Sequence, residues 1–191
     1  MEAGTFDGTY VHRPVTGGAD RDHAPTLALG AGPTPTAHLV WVRDGDLWSA
    51  VADRPGSWRQ LRRLGGPGQH PDLVADEGVL HLVWHRAGAV WYGRGSPARM
   101  TAERVAPTRG FDSARLAVSK GQTSIVFEGS SQGGPPTMLV SRHASSPRWR
   151  TAALWRLWDA HRFAITAVDG RATVLIGDWR SGAVRLRSQE R

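Results

Sequence analysis

The amino-acid sequence predicts an all-β fold, a small β-propeller of about four four-stranded blades. Three observations lead there. A short motif recurs: His38-Leu39-Val40-Trp41 returns as His81-Leu82-Val83-Trp84, 43 residues later, and Trp48 returns as Trp91 at the same interval. A third copy, Ser124-Ile125-Val126-Phe127, follows after another 43 residues, and a fourth, Thr173-Val174-Leu175-Ile176, after 49. A fixed period of this size marks a repeat architecture. Within each unit the pattern is of strands separated by turns, which selects a propeller blade over a helical array.

The first run of each unit is apolar: Thr26–Leu29, Asp72–Ala75, Arg115–Val118 and Ala164–Val168. A turn follows, as at Asp76-Glu77-Gly78, Ser119-Lys120-Gly121 and Asp169-Gly170, where glycine supplies the positive φ that a tight hairpin demands. The recurring Val/Ile/Trp-rich run comes second. The third runs are Asp46–Ala50, Ala89–Tyr92, Thr137–Val140 and Ala183–Leu186, and a weaker fourth run appears at Trp58–Leu61 and Trp149–Ala152. The expected blades span about 22–64, 65–106, 107–154 and 160–191. The last unit stops after its third run, and Thr9–Val15 offers an unassigned strand. A strand at 9–16 completing the fourth blade would close the ring and remove an exposed edge; an open arc completed by oligomerisation is the alternative. Leu154-Trp155-Arg156-Leu157-Trp158-Asp159 is the single helical candidate and accounts for the longer last spacing. Trp41, Trp48, Trp84 and Trp91 are expected to pack between blades, with His38 and His81 capping the second strand at the far end.

Composition narrows the function. The 191 residues suffice for one domain with a real core. No apolar run approaches the roughly 18 residues that span a membrane. Residues 1–5 lack the basic start and apolar stretch of a signal peptide, so the expected location is the cytoplasm. The absence of cysteine excludes disulfides, thiolate metal sites and a cysteine nucleophile. The formal charge is +7, and 23 of the 24 basic residues are arginine. They are scattered. Only Arg59-Gln60-Leu61-Arg62-Arg63 clusters, on an expected exposed strand edge, so nucleic-acid binding is a minor reading.

The units resemble the BNR, or Asp-box, repeats of sialidase-like propellers. Ala24-Pro25 and His70-Pro71 stand where those units open on His-Pro, and the Val-Trp strands follow. Asp53-Arg54-Pro55-Gly56-Ser57-Trp58 keeps the Asp-to-Trp spacing of the box with its glycine displaced by one, and Ser145-Ser146-Pro147-Arg148-Trp149 is a more decayed copy. The resemblance covers about residues 22–190 and implies architecture, with the box acting as a structural turn. It does not carry sialidase chemistry. That needs an arginine triad and a tyrosine nucleophile beside a glutamate, whereas the only tyrosines are Tyr10 and Tyr92, and Tyr92 belongs to a third strand away from the axis.

Propeller geometry places a site. The inner strand starts at one end of the ring, and the turn between strands two and three returns there. His23, Gln69, Asp112 and His161 share the register just before the inner strand, with His70 one residue on and Asp20 and Asp22 nearby. The second turns add Arg43, Asp44, His85, Arg86, Glu128, Asp178, Trp179 and Arg180. Binding of a glycan, small molecule or protein partner is the leading expectation. There Arg43, Asp44, Arg86 and Arg180 would hydrogen-bond the ligand while Trp179 or Trp155 stacks on it. The rival is a small hydrolase, lyase or cyclase using His161, His85, Glu128 and Asp178. His23, Asp112 and His161 form a possible two-His-one-carboxylate set for a divalent metal. A scaffold subunit docking through its basic exterior is the third reading. The face positions differ from blade to blade, which favours one central site over several equivalent ones.

Overall fold

A computed structural model of the chain describes residues 22–30, 35–54, 57–108, 114–128, 137–155, 162–177 and 184–188. They form fifteen strands and no helix. The first sheet holds β1 (Asp22–Leu29), β2 (Ala37–Arg43), β3 (Asp46–Ala52) and β4 (Arg59–Pro67). The second holds β5 (Gln69–Asp76), β6 (Val79–Arg86), β7 (Ala89–Ser96) and β8 (Arg99–Pro107). The third holds β9 (Arg115–Ser119), β10 (Gln122–Glu128), β11 (Thr137–His143) and β12 (Arg150–Trp155). Among the described residues the fourth has three strands, β13 (Arg162–Val168), β14 (Arg171–Gly177) and β15 (Val184–Ser188). Every sheet is an antiparallel meander in chain order. The expected units thus appear as four successive sheets. The strand at 9–16 lies outside the described residues. The helical candidate is corrected in part: Leu154 and Trp155 end β12, and the rest of that stretch is not described.

The tight hairpins are built as the sequence requires. Asp44-Gly45, Glu77-Gly78, Ala87-Gly88, Lys120-Gly121 and Asp169-Gly170 each place two successive residues at positive φ. That is the backbone of a type I′ turn, whose twist matches that of the strands it joins. Ala24 and His70 share a further signature. Each precedes a proline, each has φ 50°, and each lies in a register shift between the first and second strands of its sheet. The inner strands of the first two blades therefore open on the same bulge, a device that re-aims a strand end.

The core occupies the gaps between consecutive sheets. Val40, Val42 and Leu47 meet Leu73, Leu82 and Trp84 in the first gap. Val83, Val90 and Tyr92 meet Leu116, Ile125, Phe127 and Val140 in the second, and Val126 and Leu139 meet Phe163, Val174 and Ile176 in the third. β6 is buried almost throughout because sheets cover both of its faces, whereas the outermost β4 is largely exposed and carries the arginine cluster. Trp84 packs in the first gap and stacks on Trp91, with ring centroids 6.4 Å apart. The two terminal sheets differ from the middle ones. Leu27 and Leu29 are exposed on β1, on the side opposite the buried Ala28. Leu175 and Leu186 pair across β14 and β15 and are exposed on the side away from Val174 and Ile176. Among the described residues no helix is long and apolar enough to cross a membrane.

Candidate functional site

Among the described residues, the strand pairings bring the expected site residues to one end of the sheets, the mouth end. Asp22, at the start of β1, stands opposite Arg43 at the end of β2, and Gln69 stands opposite His85. The links between sheets are fixed at this same end. The Gly68 N–H donates to the Gly45 carbonyl at 2.9 Å, and the Thr108 N–H to the Gly88 carbonyl at 2.9 Å.

Arg43 is held most firmly. Its Nε and a terminal nitrogen donate to the two carboxylate oxygens of Asp22 at 2.6 and 2.8 Å. The Trp41 indole N–H donates to the same carboxylate at 3.2 Å. Bidentate pairing fixes the plane of the guanidinium, which lies 5.2 Å from the Trp48 ring centroid and 5.7 Å from that of Trp41. The hydrogen bond to Asp22, with its charge and that of Asp44, raises the Arg43 pKa further. Asp44 is exposed in the turn. One repeat later the arrangement returns. Arg86 lies 5.1 Å over the Trp91 ring and beside Gly66 of the first sheet.

His85 and Glu128 lie deeper. His85 is buried, and its Nε2 accepts the Ala114 N–H at 3.2 Å, joining the second blade to the start of the third. That bond fixes the neutral tautomer with its proton on Nδ1. Glu128 is buried at the end of β10, where its backbone carbonyl accepts the Thr108 hydroxyl at 2.5 Å. His23 is exposed on β1. Asp20, Asp112, His161, Asp178, Trp179 and Arg180 lie outside the described residues, as does the side chain of Trp155. Two members of the proposed metal set are among them. Among the described residues no three His, Asp or Glu side chains come together as a metal site.

With this geometry in place, comparison with known proteins is informative for the fold. No family model matches the chain, and no curated protein does. Solved structures do. The phage phi92 endosialidase aligns over 87% of this chain and 35% of its own, with a TM-score of 0.64 at 12% identity. The NanB sialidase from Streptococcus pneumoniae aligns over 83% of this chain and 28% of its own, with a TM-score of 0.60 at 14% identity. The catalytic domain of a GH62 α-L-arabinofuranosidase from Coprinopsis cinerea covers 91% of this chain and 66% of its own, with a TM-score of 0.57 at 12% identity.

The four successive sheets are therefore similar in fold to the β-propellers of sialidases and glycoside hydrolases. The chain spans only about a third of the two sialidases, and about two thirds of the arabinofuranosidase domain.

A second polar cluster, at the opposite end, escaped the sequence reading. His81 does not simply cap β6. Its Nδ1 lies 2.7 Å from the Tyr92 hydroxyl, and both side chains are buried beside a 410 Å³ cavity between the second and third sheets. Strand pairing could have revealed it. With the two-residue turn at Ala87-Gly88, His81 falls opposite Arg94, both on the face that meets the third sheet.

Proposed function

We propose that this chain is a ligand-binding propeller whose mouth end takes a glycan. The observation that carries the reading is the repeated guanidinium over indole, Arg43 on Trp48 and Arg86 on Trp91, at equivalent positions of the first two blades. Arginine N–H groups fixed over the indoles, with nearby carboxylates, hydrogen-bond the hydroxyls of a sugar. Asp22 holds one arginine in place, so part of the site is organised before binding. The fold is shared with proteins named as sialidases and arabinofuranosidases, which adds sugar chemistry to the case. Asp44, in the same turn as Arg43, and Trp155, Trp179 and Arg180 of the later units complete the proposed site. The ring closes through a strand at 9–16, and the apolar residues on the two terminal sheets, Leu27 and Leu29 against Leu175 and Leu186, support closure.

The test is affinity electrophoresis and glycan-array binding of the full chain beside Arg43→Gln and Trp48→Ala. Retention by at least one glycan, weakened tenfold or more in both variants, is the expected result. Failure of the folded protein to bind any glycan overturns the reading. Hydrolysis is the second reading, favoured by the burial of Glu128 and His85 at the same end. It places His161, His85, Glu128 and Asp178 in acid–base roles, with a divalent metal at His23, Asp112 and His161. Release of reducing sugar by the wild type, abolished in Glu128→Gln, would put it ahead; sugar binding without turnover rejects it.

A further inference from the structure

The cavity between the second and third sheets lies far from the mouth end, beside the turns Glu77-Gly78 and Lys120-Gly121. Two cross-strand pairs face each other across it. His81 and Arg94 are paired on β6 and β7, and Thr123 and Arg142 on β10 and β11. Tyr92 connects the two. Its hydroxyl lies 2.7 Å from His81 Nδ1, and Thr123 lines the cavity from the facing sheet. With the phenol as donor, Nδ1 is the acceptor. The neutral imidazole then carries its proton on Nε2. His81 is buried and lines the cavity.

Charged groups of both signs line this cavity. Arg142 stacks on Trp149, with its guanidinium carbon 4.3 Å from the ring centroid, and donates to Glu103 at 2.6 Å. A guanidinium has five N–H donors, so that ion pair leaves others unused. Arg94 pairs with no carboxylate among the described residues, yet it is close enough to act electrostatically on both His81 and Tyr92. Two arginines and the His81 imidazole thus line one cavity from facing sheets. The carboxylates of Asp76 and Glu77 line the cavity beside the β5–β6 turn.

We propose that this cavity is a binding site, distinct from the mouth, for a small hydroxylated molecule bearing an oxyanion, either a carboxylate or a phosphate ester. The oxyanion lies between Arg94 and Arg142 and accepts the Nε2–H of His81. Charge-assisted hydrogen bonds of this kind are shorter and stronger than neutral ones. Asp76 accepts hydrogen bonds from the ligand's hydroxyls. A volume of 410 Å³ admits a single sugar-sized molecule.

The experiment is calorimetric titration of the full chain with glucuronate, glucose 6-phosphate and glucose, and amide chemical-shift mapping of whichever binds. Glucuronate or glucose 6-phosphate is expected to bind, glucose is not, and the shifts should centre on Val79, His81 and Thr123. The stronger of the two distinguishes carboxylate from phosphate recognition. Arg94→Gln, an exposed and foldable change, should weaken binding at least tenfold, and His81→Gln should weaken it as well. Arg99→Gln, on the same sheet but outside the cavity, should leave it intact. Binding of neither anion overturns the proposal, as do equal binding of glucose, indifference to Arg94→Gln, and shifts centred on the mouth end.

Discussion

Tyr92 and His81 lie on adjacent strands of the second sheet and share a 2.7 Å hydrogen bond on the side facing the third sheet. Both side chains are buried, so the bond has no ready substitute in water. Tyr92→Phe keeps the ring that packs edge-on against Trp149 but removes the hydroxyl. It leaves His81 Nδ1 unpaired in a buried setting, which costs about 1–2 kcal/mol. Urea unfolding should show a lower midpoint with an unchanged slope.

The same histidine makes stability depend on pH. Burial, with the charge of Arg94, lowers the His81 pKa from its usual 6.5 to about 4. In the unfolded chain the imidazole takes up a proton below pH 6.5, while the folded protein resists protonation until about pH 4. Stability tied to His81 is therefore complete above pH 6.5 and lost as pH falls toward 4. The full shift sets an upper bound of about 3 kcal/mol, and screening at the open side of the cavity reduces it to roughly 1–2 kcal/mol. Unfolding curves for the wild type and His81→Gln at pH 7 and pH 4.5 should show the variant losing less stability on acidification.

Gly68 sits where the first sheet hands over to the second. A Cβ at this position would stand 2.8 Å from Leu47 Cγ and 2.9 Å from Trp84 Cδ1, both in the first core. Neither neighbour has a free end to move aside. Gly68→Ala is expected to cost about 1–3 kcal/mol through overpacking, read as a fall in Tm. Gly93→Ala should cost less. Its nearest contact, at 2.7 Å, is the sulfur of Met100, an adaptable side chain.

Blade architecture was legible because the turns and second strands repeat. The X-Gly hairpins, the Trp41/Trp84 register and the shared bulge before Pro25 and Pro71 are local features written in adjacent residues. The turn after β3 is likewise held by neighbouring residues. Ser57 Oγ donates to Asp53 Oδ1 at 3.0 Å, and Arg59 reaches the other oxygen at 2.8 Å. These bonds, the Ser57 contact first, hold the Asp53 carboxyl below its usual range. The mouth-end placement of Arg43 and Arg86 was legible too. Their seats on Trp48 and Trp91 were not, since a period-two pattern does not tell which side chain leans on which. The His81 cavity was hidden for another reason. It forms between residues of different blades, and no spacing within one repeat reports on that gap.

The proposed closure of the ring by a strand at 9–16 has a direct consequence. A chain lacking residues 1–16 should leave the β15 edge unpaired, and an open strand edge recruits other chains. Sedimentation velocity should give a monomer for the full chain and concentration-dependent association for the truncated one. A monomeric truncation of unchanged Tm would favour another form of closure.

The side chain of Asp72 accepts the Leu116 N–H at 2.8 Å, and His85 accepts that of Ala114. Burial pushes the Asp72 carboxyl upward. Both bonds run from the second sheet to the backbone of the third. The third sheet's inner strand thus begins on acceptors supplied by its neighbour, and separating the two sheets strands buried amides. Adjacent blades should therefore melt as one cooperative unit rather than peel away singly. Amide exchange reads this directly. The Leu116 amide, near the boundary between sheets, should exchange as slowly as Ile125 at the centre of its own sheet, and Asp72→Ala should abolish that parity.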